Sequence, residues 1–247
     1  MSILKKIRQF GFVYSLAIAL QRIVPVWLFR ARYYVVLRLD TDYQPVVREN
    51  PVQVQIETNE AKIQTVEKLT YFERASSAGT ATACSARIDD RLVGGFWAAQ
   101  QSFDESELGV RVKLAPEQCW LFAALVEKSA RGFGIYSQLI KCISDEMAAT
   151  GVNDQLVAVN PFNKPSYKVL HRFAGEPIAR VLAIRFLNQA VCFRSGQVKS
   201  DKTFSMDCSD SPIVIEFERQ PLRREEVNAA VEQVESKRDF AVHQLNH

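Results

Sequence analysis

One short segment constrains the fold more than any other part of this 247-residue chain, the run Arg131-Gly132-Phe133-Gly134-Ile135-Tyr136-Ser137. A strand-like apolar run, Cys119 to Val126, precedes it, and a helix-like segment, Ile135 to Ala149, follows it. A strand, a glycine-rich turn and a helix in this order bring several backbone N–H groups and the positive end of the helix dipole to one point. The sequence therefore predicts a phosphate site here, with Arg131 as a fork-shaped cation beside it.

The composition limits the class of protein. The chain is 47% hydrophobic and 24% charged, which is ordinary for a globular protein. Its formal net charge of +3 is small for this length, so we expect no nucleic-acid partner. The five cysteines are scattered without a Cys-x-x-Cys motif, and the three histidines have no cysteine partners at metal-ligand spacing. We expect neither a disulfide framework nor a metal site, and a cytoplasmic location.

Residues 1–38 combine a basic start, an apolar run and arginines interleaved with aromatic residues. The apolar run, Phe10 to Leu20, is shorter than the roughly 20 residues that a membrane-spanning helix needs. Three interpretations stay open. The segment is a helix packed on the main domain, an interfacial helix at the inner face of an anionic membrane with Trp27 and Tyr33 among its inserted aromatics, or a membrane span. A peripheral membrane contact through residues 1–38 is thus one expectation.

Hydrophobic periodicity predicts an α+β fold. Helical spacing indicates helices over 60–69, 135–149 and 166–173, whereas alternation and apolar runs indicate strands over 52–57, 82–88, 92–100, 119–126, 156–159, 181–187 and 191–194. The segment 101–116 is polar and irregular. The order of these elements predicts a mixed, mostly antiparallel sheet flanked by helices, with an N-terminal basic and apolar helical extension.

Four units follow from the changes in composition. We expect residues 1–49 to form an amphipathic helix, a short strand over Val35–Leu39 and a linker. Residues 50–195 form the main domain, and 196–220 form a C-terminal strand region. Residues 221–247 are charged and poor in aromatics, which indicates a polar helical tail.

These motifs resemble those of the GNAT (Gcn5-related) N-acyltransferase superfamily. The family's signature, Arg/Gln-x-x-Gly-x-Gly/Ala after its fourth strand, is similar to the run from Arg131 to Tyr136. Farther along the chain, Asn163-Lys164-Pro165-Ser166 resembles the family's Asn-x-x-Ala/Ser element at the start of its fourth helix. The resemblance covers residues 50–195 and leaves both ends outside it.

The resemblance implies an enzyme that moves an acyl group, most simply acetyl, from coenzyme A to a primary amine by direct attack. Acetyl-coenzyme A or another acyl-coenzyme A is then the co-substrate, and no metal is needed. Its pyrophosphate would lie on the turn, and its pantetheine arm would pair with the fourth strand where that strand splays after Val126. The cofactor-binding residues that the resemblance implies are Leu125, Val126, Arg131, Gly132, Phe133, Gly134, Ile135, Tyr136, Asn163 and Ser166.

Several positions depart from the family pattern. Tyr136 replaces the last Gly or Ala of the signature, so its side chain must turn away from the phosphates. Leu170 occupies the position where the family often has a tyrosine that acts as general acid. Trp120 occupies the position where the family often has a glutamate that acts as general base. Glu117 is therefore the candidate base and Tyr167 the candidate acid. A non-catalytic acyl-coenzyme A-binding or membrane-associated scaffold, or an acyltransferase with a long-chain donor, stays an alternative.

The acceptor is expected to be a small-molecule amine. Acceptor pockets of this architecture form at the region after the first helix, here Tyr71 to Gly79, and at the later strands. Arg74 in the first segment and Arg180, Arg185 and Arg194 in the second favour an acidic or phosphorylated acceptor. The sequence predicts no particular oligomeric state.

Overall fold

The computed structural model describes residues 20, 23–25, 27–40, 51–72 and 80–219. The strands in this part are β1 (Phe29–Arg38), β2 (Gln53–Glu57), β3 (Thr80–Ile88), β4 (Arg91–Gln100), β5 (Ser102–Glu105), β6 (Val110–Lys113), β7 (Gln118–Val126), β8 (Asp154–Val159), β9 (Ala179–Phe186), β10 (Gln189–Gly196), β11 (Val198–Ser200), β12 (Phe204–Ser205) and β13 (Ile213–Phe217). The α-helices are α1 (Glu60–Thr70), α2 (Ile135–Ala149) and α3 (Lys164–Phe173), and short 3₁₀ turns cover Ser106–Leu108 and Lys128–Ala130.

The main sheet has the strand order β12-β10-β9-β1-β8-β7-β4-β3-β2. Within the described residues, β7 and β8 form the parallel pair of this sheet, and the other neighbouring strands are antiparallel. Helices cover the sheet, so the predicted mixed, mostly antiparallel sheet flanked by helices is confirmed.

Strand β1 lies inside the main sheet, between β8 and β9. Its residues from Phe29 to Val36 pair with β9, and those from Val35 to Arg38 pair with β8. The boundary predicted at residue 50 therefore does not coincide with an edge of the sheet. The sequence indicated only a short strand over Val35–Leu39, because the arginines and aromatics before it were interpreted as part of a helix that packs on the domain or lies at a membrane. Their period of two is instead that of a strand with one face on each side of the sheet.

The location of β1 corrects the expected membrane contact over residues 1–38. Tyr34 is 3% exposed and Phe29 8% exposed, so these rings pack inside the protein and cannot lie in a membrane. Ile23 and Trp27, which precede β1, are exposed. The apolar run up to residue 19, the linker over 41–50 and the tail over 220–247 lie outside the described residues. None of the described helices is long and apolar enough to cross a membrane. A peripheral contact before β1 stays a prediction.

Both faces of the main sheet are covered. Helices α2 and α3 pack on one face through a cluster that includes Phe96, Leu139 and Ile143. The opposite face carries a second sheet of order β11-β13-β6-β5, packed on Trp120 and its neighbours, and helix α1, which packs on Trp97. Because β13 pairs with β6, the C-terminal strand region joins the same body as the main sheet.

A buried ion pair fastens the end of the sheet where β7 and β8 begin. Arg38 Nε donates to Asp154 Oδ1 at 2.6 Å, and Gln118 Nε2 donates to Asp154 Oδ2 at 2.8 Å. Arg38 also donates to the carbonyl oxygen of Glu218 at 2.5 Å. The Asp154 side chain is only 4% exposed. One carboxylate thus ties together β1, β7, β8 and the segment after β13.

Removal of the Arg38 side chain should destabilise the protein strongly. Arg38→Ala leaves the buried carboxylate of Asp154 without its cation, so we expect the free energy of unfolding to fall by about 3–5 kcal/mol. The control is Lys141→Ala, which removes an exposed ion pair with Asp145 on α2 and should cost about 0.5 kcal/mol or less. Urea denaturation of both variants measures the difference. Equal losses would contradict a special role for the buried pair.

Candidate active site

Strands β7 and β8 separate toward their C-terminal ends. Their register begins at Gln118↔Asp154 and ends at Leu121↔Val157, although β7 continues to Val126. Ala123 has a φ of +48°, and the pairing of β7 with β4 shifts register around it, which marks a β-bulge. The predicted splay is therefore present, but it begins after Leu121 and not after Val126. The end of β7 has backbone groups that β8 does not pair.

The glycine-rich turn follows directly from this free strand end. Gly132 and Gly134 have φ angles of +95° and +75°, which favour glycine. Gly134 is the N-cap of α2, and no side chain caps the helix. Its carbonyl accepts the helical bond from the N–H of Gln138 at 3.2 Å, so the N–H groups of the first turn point out of the helix start. The turn thus has the conformation for which the sequence predicted an anion site, and anion binding here stays a prediction.

The strand end, the turn and one face of α3 enclose a cleft of about 580 Å³, called here the donor cleft. Its lining includes nine of the ten residues that the family resemblance implied: Leu125, Val126, Arg131, Gly132, Gly134, Ile135, Tyr136, Asn163 and Ser166. Phe133 is the exception, because its side chain is 49% exposed outside this lining. Residues that are distant in sequence thus meet around one space.

The donor cleft also contains residues that the sequence reasoning missed. Arg172 lines it from the last turn of α3, and Pro165 and Val169 lie beside Arg172 at helical spacing. The intervals of four residues from Pro165 to Val169 and of three residues from Val169 to Arg172 place these side chains on one helix face, and this pattern could have identified Arg172 from the sequence. Arg131 donates from Nε to the carbonyl oxygen of Val126 at 3.2 Å, which holds the turn against the strand end. Two guanidinium groups therefore give the cleft a positive character.

Tyr136 lies at the inner end of the donor cleft. Its ring packs edge-to-face on Phe96, with centroids 6.0 Å apart, so the side chain turns into the protein and away from the turn. Tyr136 also lines a smaller cavity of about 140 Å³ between the separated strands, together with Ala123, Ala124 and Val157. Burial raises the pKa of Tyr136, which keeps its hydroxyl protonated at neutral pH.

The structure does not bring Glu117 to this site. Glu117 precedes β7 and forms an ion pair with Arg219 at 3.1 Å, whereas the donor cleft lies at the other end of the strand. At about 3.3 Å per residue, almost the whole strand separates them. The position of a residue along a strand does not show, in the sequence alone, which end of that strand meets the cleft. Glu117 is therefore no longer a candidate base.

Tyr167 is also absent from the lining of the donor cleft. Its ring stacks on His171, one helical turn later, with centroids 5.7 Å apart and an interplanar angle of 19°. Ser166 and Val169 face the cleft, and a neighbouring position on a helix is rotated by about 100°. Tyr167 is therefore corrected from a candidate acid to a packing residue, and Leu170 is buried in the core.

Solved acetyltransferases have similar folds. The chain is similar to a GCN5-related N-acetyltransferase from Kribbella flavida, with 13% identity, a TM-score of 0.43 and coverage of 71% of this chain and 63% of that one, which is less than two thirds of its length. It is similar to a ribosomal-protein-alanine N-acetyltransferase from Brucella melitensis, with 17% identity, a TM-score of 0.37 and coverage of 51% of this chain and 93% of that one. It is also similar to an aminoglycoside N-acetyltransferase in complex with coenzyme A, with 18% identity, a TM-score of 0.39 and coverage of 53% of this chain and 91% of that one. No family model and no curated protein matches the chain.

The conformation of the turn predicts how two glycine substitutions differ. A Cβ at Gly134 meets no atom within 4 Å, so only the left-handed φ opposes Gly134→Ala, and we expect a loss of about 1–2 kcal/mol in unfolding free energy. The matched control is Gly175→Ala, which also has open space but no left-handed φ and should be neutral or slightly stabilising. Urea denaturation compares the two. Identical stabilities would show that the turn adopts another conformation in solution.

Proposed function

We propose that this protein is an acyl-coenzyme A-dependent N-acyltransferase, most simply an acetyltransferase, whose acceptor is a small-molecule primary amine. One observation carries the proposal. The edge of β7 that β8 leaves without a partner strand and the uncapped start of α2 face the same cleft. A ligand with amides at one end and phosphates at the other fits this pair of features, and coenzyme A has both.

Each part of coenzyme A has a matching group in the donor cleft. The N–H groups of Ile135, Tyr136 and Ser137 at the start of α2 would bind the pyrophosphate, because the helix dipole favours an anion there. Arg131 and Arg172 would pair with its phosphates. The pantetheine amides would bond to the backbone of β7 near Leu125 and Val126 as an added strand does.

The gap between β7 and β8 is where the thioester would react. The amine nitrogen attacks the carbonyl carbon, and a C–N bond forms while the carbonyl oxygen gains negative charge. Backbone N–H groups near the bulge at Ala123 would stabilise this oxyanion. The C–S bond then breaks, and the electron pair stays on sulfur. Tyr136, buried and protonated, would donate the proton that the leaving thiolate takes.

The size of the inner cavity supports a short acyl group. At about 140 Å³, the space between the strands is of the size that suits an acetyl group. This favours an acetyl donor over the long-chain alternative. A non-catalytic scaffold would bind coenzyme A without turnover, and a protonated tyrosine, Tyr136, in the lining of the gap between the strands supports an enzyme over a scaffold.

Coenzyme A binding should depend on the two arginines of the donor cleft. We expect Arg131→Ala and Arg172→Ala each to weaken binding about tenfold, or about 1.4 kcal/mol, because each loses a charged contact with phosphate. Isothermal titration calorimetry with coenzyme A measures this. The matched control is Arg219→Ala, at the other end of β7, which should bind as the wild type does. No binding by the wild type at millimolar coenzyme A would reject the proposed function.

The proton donor can be tested separately from binding. Tyr136→Phe keeps the ring that packs on Phe96 but removes the hydroxyl, so we expect kcat to fall about tenfold while the Kd for coenzyme A stays unchanged. The reduction is modest for acid catalysis because coenzyme A thiolate is a stable leaving group. Tyr167→Phe is the matched control and should leave both quantities unchanged. A normal kcat in Tyr136→Phe would assign the proton transfer elsewhere.

A further inference from the structure

A second and larger cleft, of about 1040 Å³, lies on the opposite face of the main sheet and is called here the acceptor cleft. The end of α1, the strand β5 and the 3₁₀ turn over Ser106–Leu108 enclose it, and Phe122 and Ala123 of β7 contribute to its lining. The donor cleft faces α2 and α3, so the sheet separates the two spaces.

The small cavity between β7 and β8 links the two clefts. It shares Ala124, Tyr136 and Asn163 with the donor cleft, and it shares Phe122 and Ala123 with the acceptor cleft. The gap between the separated strands, called here the passage, is therefore adjacent to both clefts. A thioester that enters from one face and an amine that enters from the other face would meet at the bulge.

Three phenylalanine rings form an apolar surface in the acceptor cleft. The ring centroids of Phe103 and Phe122 are 4.3 Å apart, and those of Phe72 and Phe122 are 4.6 Å apart. The packing is tilted or edge-to-face, so these rings offer both an apolar contact and negatively polarised faces. Such a surface suits a flat apolar body and attracts a nearby ammonium group.

Acidic side chains are concentrated beside these rings. In the described part of the chain, the lining contains the acidic residues Glu67, Asp104, Glu105 and Glu107 and the basic residues Arg32 and Lys68, and Arg111 Nε donates to Asp104 Oδ1 at 2.5 Å. Glu105 Oε2 accepts from Arg32 at 2.7 Å, and Glu107 is ion-paired with Arg30. Of the arginines that suggested an acidic acceptor, Arg180, Arg185 and Arg194 do not line this cleft, and Arg74 lies outside the described residues.

We propose that the acceptor cleft binds a cationic primary amine carried on a flat apolar body, and that Glu105 anchors its ammonium group and takes its first proton. This inference rests on the proposed function, since it needs an acyl donor on the other face of the sheet. Once neutral, the amine forms the C–N bond as the C–S bond breaks. The second proton that the nitrogen loses goes to the tyrosinate of Tyr136, which has given its own proton to the thiolate.

The surroundings of Glu105 suit a base. Burial raises the pKa of its carboxyl, and the neighbouring Glu107 adds to the rise, while Arg32 and Arg30 oppose it. Burial and then the negative charge of Glu105 raise the pKa of the Tyr34 hydroxyl on β1, which among the described residues has no hydrogen-bond partner. A carboxylate in this setting is a stronger proton acceptor than an exposed one.

A turnover assay with the full chain tests the inference. Acetyl-coenzyme A is supplied with phenethylamine, with glutamate or with a phosphorylated amino sugar, and release of the free thiol is followed. We expect phenethylamine to have the highest kcat/KM. Glu105→Gln should lower that value about tenfold or more, the effect of one lost charged contact, with the Kd for coenzyme A unchanged. Glu105→Asp should restore part of it, and the control Glu117→Gln should behave as the wild type does.

The outcomes separate the two proposals. Failure of the wild type to bind coenzyme A would reject the donor site and the acceptor inference together. If coenzyme A binds normally, then preference for the acidic amines, turnover of none of the three amines, or equal rates in Glu105→Gln and Glu117→Gln would each overturn the acceptor inference alone. Thermal unfolding of both variants and their coenzyme A titrations confirm that each is folded.

Discussion

The geometry of the site depends on one constraint, the parallel pairing of β7 with β8. Two parallel neighbours cannot be joined by a tight hairpin, so the chain must cross over, and here α2 makes that crossing. The crossing must start where β7 ends, which brings the start of α2 to the same edge as the separating strands. The glycine-rich turn and the edge of β7 that β8 leaves without a partner strand are therefore neighbours because of topology, and the positive φ angles of Gly132 and Gly134 make the turn tight enough.

The two ends of this strand pair have opposite characters. At the closed end, Asp154 is buried and accepts hydrogen bonds from Arg38 and Gln118, which fixes the first register pair, Gln118↔Asp154. At the open end, the bulge at Ala123 turns β7 away from β8. A strand pair that is fixed at one end and bulged at the other opens as a wedge, and the buried carboxylate stabilises the hinge of that wedge.

The sequence predicted the local parts of the site and not the long-range ones. The strand, turn and helix around Gly132 and Gly134 are contiguous, so their residue types show the structure directly. Strand β1 was largely missed because its partners, β8 and β9, are far away in the chain, and nothing local shows which strands flank it. The predictions of Glu117 as the base and Tyr167 as the acid failed for a related reason. Spacing along the sequence alone does not show which strand end or which helix face meets the cleft. Glu105 lies in the segment read as irregular, and only the packing of the second sheet brings it beside Phe122.

A site built through a sheet also separates charges that would otherwise attract each other. Coenzyme A carries several negative charges, and the inferred acceptor is a cation, so in one open pocket they would pair in unproductive arrangements. Here Arg131 and Arg172 lie on one face and Glu105 on the other, and only the neutral thioester and the amine share the passage. Acylation also removes the positive charge of the amine. The product then loses its attraction to Glu105, so the same carboxylate that holds the substrate does not hold the amide.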